Sequence, residues 1–142
     1  MTNTNLGKNT IELGKDFVPC FNAEGLLPVI VQDNTTKMVI MFAYMNAQSL
    51  RMTLECGEMI YYSRSRSELW HKGKTSGSVQ KVIRMAVDCD QDVILAFVEP
   101  EQAGACHNGY ETCFYRDVDT NGVHVSFNDV VRCFDPKQVY GK

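Results

Sequence analysis

Apolar and polar positions change period several times along this chain, and each change marks an element. Leu26 to Val31 and Lys37 to Ala43 read as two strands, separated by Asp33-Asn34-Thr35, residues suited to a turn. Asn46 then offers a side-chain oxygen as a helix cap, Ala47 to Cys56 is helical in character, and Gly57 is placed to end it. Strand character returns at Met59 to Ser63, and a polar stretch predicted as a loop runs from Arg64 to Ser78. Val79 to Val98 predicts a hairpin bent at Asp88 to Asp92. Its first arm alternates, with Ile83, Met85, Val87 and Cys89 on one face and Arg84, Ala86, Asp88 and Asp90 on the other. Glu111 to Val118 and Val123 to Phe127 predict two further strands, and Asp135-Pro136 closes the domain. The sum is an α+β fold, strand-rich, with a mostly antiparallel sheet and one main helix.

Composition narrows the class. At 142 residues the chain predicts one domain, residues 16–142, behind a flexible N-terminal tail of residues 1–15. A formal charge of -3 gives no general drive toward nucleic acid or an anionic membrane. The longest apolar run, Met38 to Met45, suits a buried strand and is far too short to span a bilayer. The polar start, Met1 to Asp16, lacks the apolar segment of a signal peptide, which predicts a cytoplasmic protein. In that compartment the 6 cysteines are expected to be thiols or metal ligands, not disulfides. Cys20, Cys56 and Cys133 have no motif around them and read as small buried residues.

Three constellations carry candidate chemistry. The first is Asp88-Cys89-Asp90-Gln91-Asp92. If this run is extended, the three aspartates form an oxygen-rich face for Mg²⁺ or Ca²⁺, while Cys89 points to the other side as a soft ligand suited to Zn²⁺. The alternative is an ordinary solvated turn. A calcium loop of the EF-hand type is set aside, because Val93 stands where that loop needs glycine and the flanks have strand character. The second is Cys106 and Cys113, which with Cys89 offer three thiolates and leave a fourth position open, as catalytic zinc requires. His107, beside Cys106, is either a fourth ligand or, as we favour, a nearby acid/base. The third is the basic loop. Between Tyr61 and Arg84 there are six Lys/Arg against one acidic residue, with glycines flanked by Ser, Thr and Lys that can present N–H groups and hydroxyls to phosphate. It lacks the spacing of a P-loop. It can equally be a solvated basic loop, and Trp70 can stack on a base or anchor the loop to the core.

These residues closely resemble one family, phosphoribosyl-AMP cyclohydrolase of histidine biosynthesis, in its monofunctional form. The likeness runs from about Phe17 to Gly141. It rests on Tyr62-Ser63-Arg64-Ser65-Arg66, on Leu69-Trp70 through Lys72-Gly73 and Thr75-Ser76-Gly77, on Asp88-Cys89-Asp90-x-Asp92, and on Ala105-Cys106-His107-x-Gly109 through Cys113-Phe114. Lys74, where the family often has an acidic residue, and Asn108, where it usually has Thr, depart from the pattern.

The resemblance implies an intertwined homodimer that opens the adenine ring of 1-(5-phosphoribosyl)-AMP between N1 and C6. It places Mg²⁺ on Asp88, Asp90 and Asp92. Zinc falls on Cys106 and Cys113, with Cys89 supplied by the partner subunit. His107 is then the candidate general base, and Arg64, Arg66, Trp70, Lys72, Lys74, Thr75 and Ser76 the candidate contacts to a small phosphorylated nucleotide. The competing reading is a non-catalytic zinc module that binds nucleic acid through the basic loop. Net acidity counts against it, as does the lack of interleaved aromatics apart from Trp70.

Overall fold

The computed structural model describes residues 7–102 and 104–139. Residues 1–6 of the expected tail lie outside that description; within it, α1 covers Lys8–Leu13. The main helix, α2 (Ala47–Cys56), follows from its ends. Asn46 accepts from the Ser49 amide at 2.8 Å, and the Ser49 hydroxyl accepts from the Asn46 amide at 3.0 Å, so two otherwise orphaned donors are satisfied reciprocally. Gly57 closes the helix at φ 78°, in the left-handed region that glycine occupies without steric cost.

A four-stranded sheet carries the fold. Strands β1 (Leu27–Asp33), β2 (Val39–Met45), β5 (Gln80–Val87) and β6 (Ile94–Pro100) lie in the order β2-β1-β6-β5. Only β1 and β6 run parallel, so the sheet is mostly antiparallel as the pattern predicts. The β1–β2 turn is held by Asp33, whose Oδ1 accepts from the amides of Thr35 (2.8 Å) and Thr36 (2.9 Å). Strand alternation sends Leu27, Val29, Val31, Ile94, Ala96 and Val98 to one face, where they are almost wholly buried with Leu50 of α2. Fully burying each such side chain contributes about 1.5–3 kcal/mol. The opposite face carries Phe42, which is 47% exposed, and Phe97, whose ring lies 3.9 Å from the Arg84 guanidinium.

Three local expectations change. The segment expected as a loop between Arg64 and Ser78 contains a strand, β4 (Glu68–His71), paired antiparallel with β3 (Ile60–Ser63). The alternation of the first hairpin arm is broken by a bulge, because Val82 pairs with Val98 but Arg84 pairs with Phe97. Ile83 is the extra residue and is 43% exposed, while Val82 and Met85 pack on the core. The late strands are shorter than expected, β7 (Arg116–Val118) and β8 (Val125–Phe127). A last turn of helix, α3, covers Pro136–Val139.

Behind β3 the core is tied by a buried polar pair. Tyr61 is wholly buried, and its hydroxyl donates to Gln80 Oε1 at 2.6 Å. The Trp70 ring lies 5.3 Å from that of Tyr61, which fixes β4 and the residues after it against the sheet.

Candidate active site

The stretch after β4 is a tight loop, closed where the Gly77 amide donates to the Gly73 carbonyl at 2.8 Å. Gly73 sits at φ 82°, and any Cβ there would fall on the backbone of Ser78 and Val79. That closeness shapes a cavity of about 460 Å³ whose wall includes Arg66, Trp70, Lys72, Thr75, Ser76 and His107. Six of the expected site residues are thus brought together. Two are not: Arg64 lines a separate recess with its guanidinium 4.2 Å from the Tyr44 ring, and Lys74 is exposed outside the cavity wall. Trp70 packs on the core, so it anchors the loop while lining the cavity.

Lys72 lines the cavity and also reaches inward. It is 6% exposed, and its ammonium donates to the Ala105 carbonyl at 2.8 Å, next to Cys106. Burial pulls its pKa down, against the pull of the Cys113 and Cys106 thiols, which raise it. One of its three ammonium donors is thus committed to the cysteine loop, while the residue still lines the cavity.

The Cys106 and Cys113 thiols are neighbours. Burial first, then the charge and hydrogen bond of Cys106, push the Cys113 thiol up to about 12, with Lys72 opposing. A thiol raised in this way needs a nearby cation to ionise, and a pair of soft sulfurs suits zinc. The Asn108 amide points at the Cys106 sulfur at 3.5 Å, and the Cys113 amide donates to the Ile40 carbonyl at 2.7 Å, which pins the pair to the start of β2.

The acidic residues lie at the opposite end of the sheet. Asp88–Asp92 form the turn between β5 and β6, not an extended strand, and Gln91 has φ 59°. The turn still gathers the carboxylates, since one oxygen from each of Asp88, Asp90 and Asp92 lies within 4.8 Å of the others. Hydrogen bonds to Asp90 and then Asp88 raise the Asp92 carboxyl to about 6. Burial works against the charge on Asp88, but hydrogen bonds from Asp92, Val93 and Asp90 outweigh it and hold that carboxyl low. Three carboxylate oxygens converging in this way fit a hard divalent cation.

Cys89 is exposed in the same turn, remote from the other two cysteines of its own chain. Ile94 pairs with Val29, which sets the turn at the Leu27 end of β1, whereas Ile40 lies beside the Val31–Met41 pair at the far end. The offset is about 10 Å along the strands and two to three strand spacings, about 10–14 Å, across them. Two thiolates on one zinc lie within about 4.6 Å, twice the Zn–S bond. Among the described residues of one chain, the three aspartates form a three-membered ligand group, and the three cysteines do not.

One pair escaped the sequence reading. His71, on the wall of the same cavity, has its Nε2 2.7 Å from Glu58 Oε1, and only strand pairing brings the two together.

A basic, histidine-bearing cavity beside paired thiols, on a small α+β frame, has the makings of an enzyme site. Comparison with known proteins makes the class specific. The family model for phosphoribosyl-AMP cyclohydrolase matches residues 41–115. A protein of that name from Nitrobacter winogradskyi is 47% identical over 132 residues, covering 91% of this chain and 90% of the relative. Those from Nitratidesulfovibrio vulgaris and Methanoregula boonei are each 50% identical, covering 87% and 86% of this chain and 97% and 94% of theirs. The chain belongs to the phosphoribosyl-AMP cyclohydrolase family.

Proposed function

We propose that this protein hydrolyses 1-(5-phosphoribosyl)-AMP, opening the adenine ring between N1 and C6 as a cytoplasmic step of L-histidine biosynthesis. The observation that carries this reading is the cavity that gathers Arg66, Thr75, Ser76 and His107 beside the Cys106–Cys113 pair, in a chain of this family. No helix among the described residues is long and apolar enough to cross a membrane.

Alkylation at N1 leaves the ring electron-poor, so C6 is open to attack by water. His107, exposed on the cavity wall, takes the proton from that water and returns it to N1 as the C6–N1 bond breaks. Arg66, Thr75 and Ser76 hold phosphate oxygens. Lys72 balances charge on the thiolates from within. Cys106 and Cys113 would hold zinc, which when bound would supply Lewis acidity able to bring the pKa of water toward ~7. Asp88, Asp90 and Asp92 would hold Mg²⁺, a hard cation suited to phosphate oxygens, and they would reach the cavity from the same second copy that supplies Cys89.

The third thiolate is Cys89 of a second copy in a homodimer. Its distance from Cys106 and Cys113 within one chain supports this arrangement, as does the apolar surface that a second copy would cover. That surface includes Phe42 and the β7–β8 hairpin, where Val118 is 69% and Phe127 is 67% exposed.

The test is turnover of phosphoribosyl-AMP by purified protein, with zinc and magnesium content measured on the same sample. Ring opening that disappears on zinc removal and returns on replacement is the expected result. No turnover by metal-replete protein, with tight and steeply salt-dependent binding of generic RNA, would favour the nucleic-acid module instead.

A further inference from the structure

Gln91 sits between two of the acidic residues and points away from them. Its side chain is 5% exposed, although it belongs to a turn whose aspartates and Cys89 are all exposed. Its Oε1 accepts from the Val18 amide at 2.7 Å, and its Nε2 donates to the carbonyls of Ile11 (2.9 Å) and Asp16 (3.2 Å). Its main-chain carbonyl accepts from the Cys20 amide at 2.8 Å, and its amide donates to the Asp88 carbonyl at 3.1 Å. Every polar group of the residue is engaged, and four of the five bonds reach residues 11–20.

The backbone at this position is held against its own preference. A left-handed conformation costs a residue other than glycine about 1–2 kcal/mol, and φ here is 59°. Hydrogen bonds at about 0.5–1.5 kcal/mol each can offset that cost only if the partner segment is in place. The same backbone geometry folds Asp88, Asp90 and Asp92 toward one point. Residues 11–20 also form one wall of a cavity of about 370 Å³, with Lys15, Asp16 and Phe17 opposite Asp88 and Cys89.

We propose that Gln91 is a positioning residue that clamps residues 11–20 as a strap over the acidic turn, so that strap order and metal affinity at the turn are coupled. This rests on the reading of that turn as the hard-cation site. The clamp sets the turn in its converged form before the cation arrives, which removes part of the ordering cost of binding. Coupling is reciprocal, so a bound cation must tighten the strap by the factor by which the strap tightens the cation.

Hydrogen exchange on the parent protein tests this without a substitution. Adding Mn²⁺ or Mg²⁺ slows exchange of the Val18 amide severalfold, while the Leu50 amide in α2 keeps its rate. Gln91→Gly relieves the backbone strain and deletes the clamp, and Gln91→Met keeps the side-chain volume without its polar groups. Both variants weaken Mn²⁺ binding severalfold, read by electron paramagnetic resonance, and in both Val18 exchange is fast and no longer slowed by the cation. Val18 exchange in the parent indifferent to a cation that does bind, or Mn²⁺ affinity unchanged in a variant whose strap is freed, would overturn the coupling. Parent protein that binds no Mn²⁺, or binds it equally well as Asp90→Asn, would overturn the cation reading and the coupling with it.

Discussion

Two inactive proteins should make an active one. Cys89→Ser and Cys106→Ser each remove one thiolate from the zinc set proposed here, and each alone should lack ring-opening activity. Within one chain the two positions lie at opposite ends of the sheet, offset by about 10 Å along the strands and at least as far across them. No side-chain rotation closes that gap to the ~4.6 Å that two thiolates on one zinc allow. A shared site therefore draws Cys89 from one subunit and Cys106 with Cys113 from the other. In a mixed dimer one site carries both lesions and its twin carries neither. Random pairing makes about half of the dimers mixed, so about a quarter of parental sites should revive, in activity and in zinc content together. The assay is co-expression of differently tagged variants, tandem purification to isolate mixed dimers, then turnover and metal analysis. In that purified species the expected recovery is about half of the parental value. Mixed dimers that regain neither zinc nor turnover would refute the geometry on which the shared site stands.

Other outcomes follow from the site. Lys72→Met leaves the Ala105 carbonyl without its buried donor, which should cost about 1–3 kcal/mol; thermal unfolding reads the loss, and zinc should leave the variant faster in a chelator competition. Unchanged zinc release would return Lys72 to a purely structural part. Magnesium binding should depend on acidity: the metal-free Asp92 carboxyl keeps its proton up to about pH 6, so titration calorimetry should show affinity rising about tenfold from about pH 5 to about pH 7. The same shift makes the metal-free fold bind more protons than the unfolded chain between ~3.9 and about 6. On that account its stability falls as pH rises through this window. Asp88, held low, acts in the opposite sense. Asn46→Ala should destabilise by about 1 kcal/mol in denaturant unfolding and leave turnover unchanged, since Asn46 lines the separate recess of Arg64 and not the cavity of Arg66 and His107.

Local signals proved legible and pairings over long separations did not. Helix α2 could be placed because its cap, its start and its terminating Gly57 are adjacent in sequence and each has a local physical reason. The acidic turn and the Cys106–Cys113 loop were visible for the same cause, as rare residue types close together. Strand β4 was hidden because Glu68–His71 is short and follows a serine–arginine run whose polarity reads as a loop. The bulge at Ile83 leaves no mark on the strict alternation around it, since which strand residue is extra depends on the partner strand. His71 gave no sign of a carboxylate partner, because Glu58 reaches it only through the pairing that brings Ile60 opposite His71.

Lys72 shows why residue type and motif position do not fix a role. As one of six cations in a basic stretch, its charge suggested a phosphate contact. The fold places Gly73 against Ser78 so tightly that the residue before it turns inward, under the Trp70 ring and onto Ala105. An ammonium brought into that space must find acceptors or negative charge, because an unpaired buried cation costs several kcal/mol. The carbonyl of Ala105 and the two thiols beside it answer that need. Cys113 in turn gains a neighbouring positive charge that lowers the cost of ionising its thiol. Lysine and cysteines therefore form one electrostatic unit: removing Lys72 should act on zinc retention before it acts on substrate affinity, whereas loss of Arg66, which lies on the open wall of the cavity, should do the reverse.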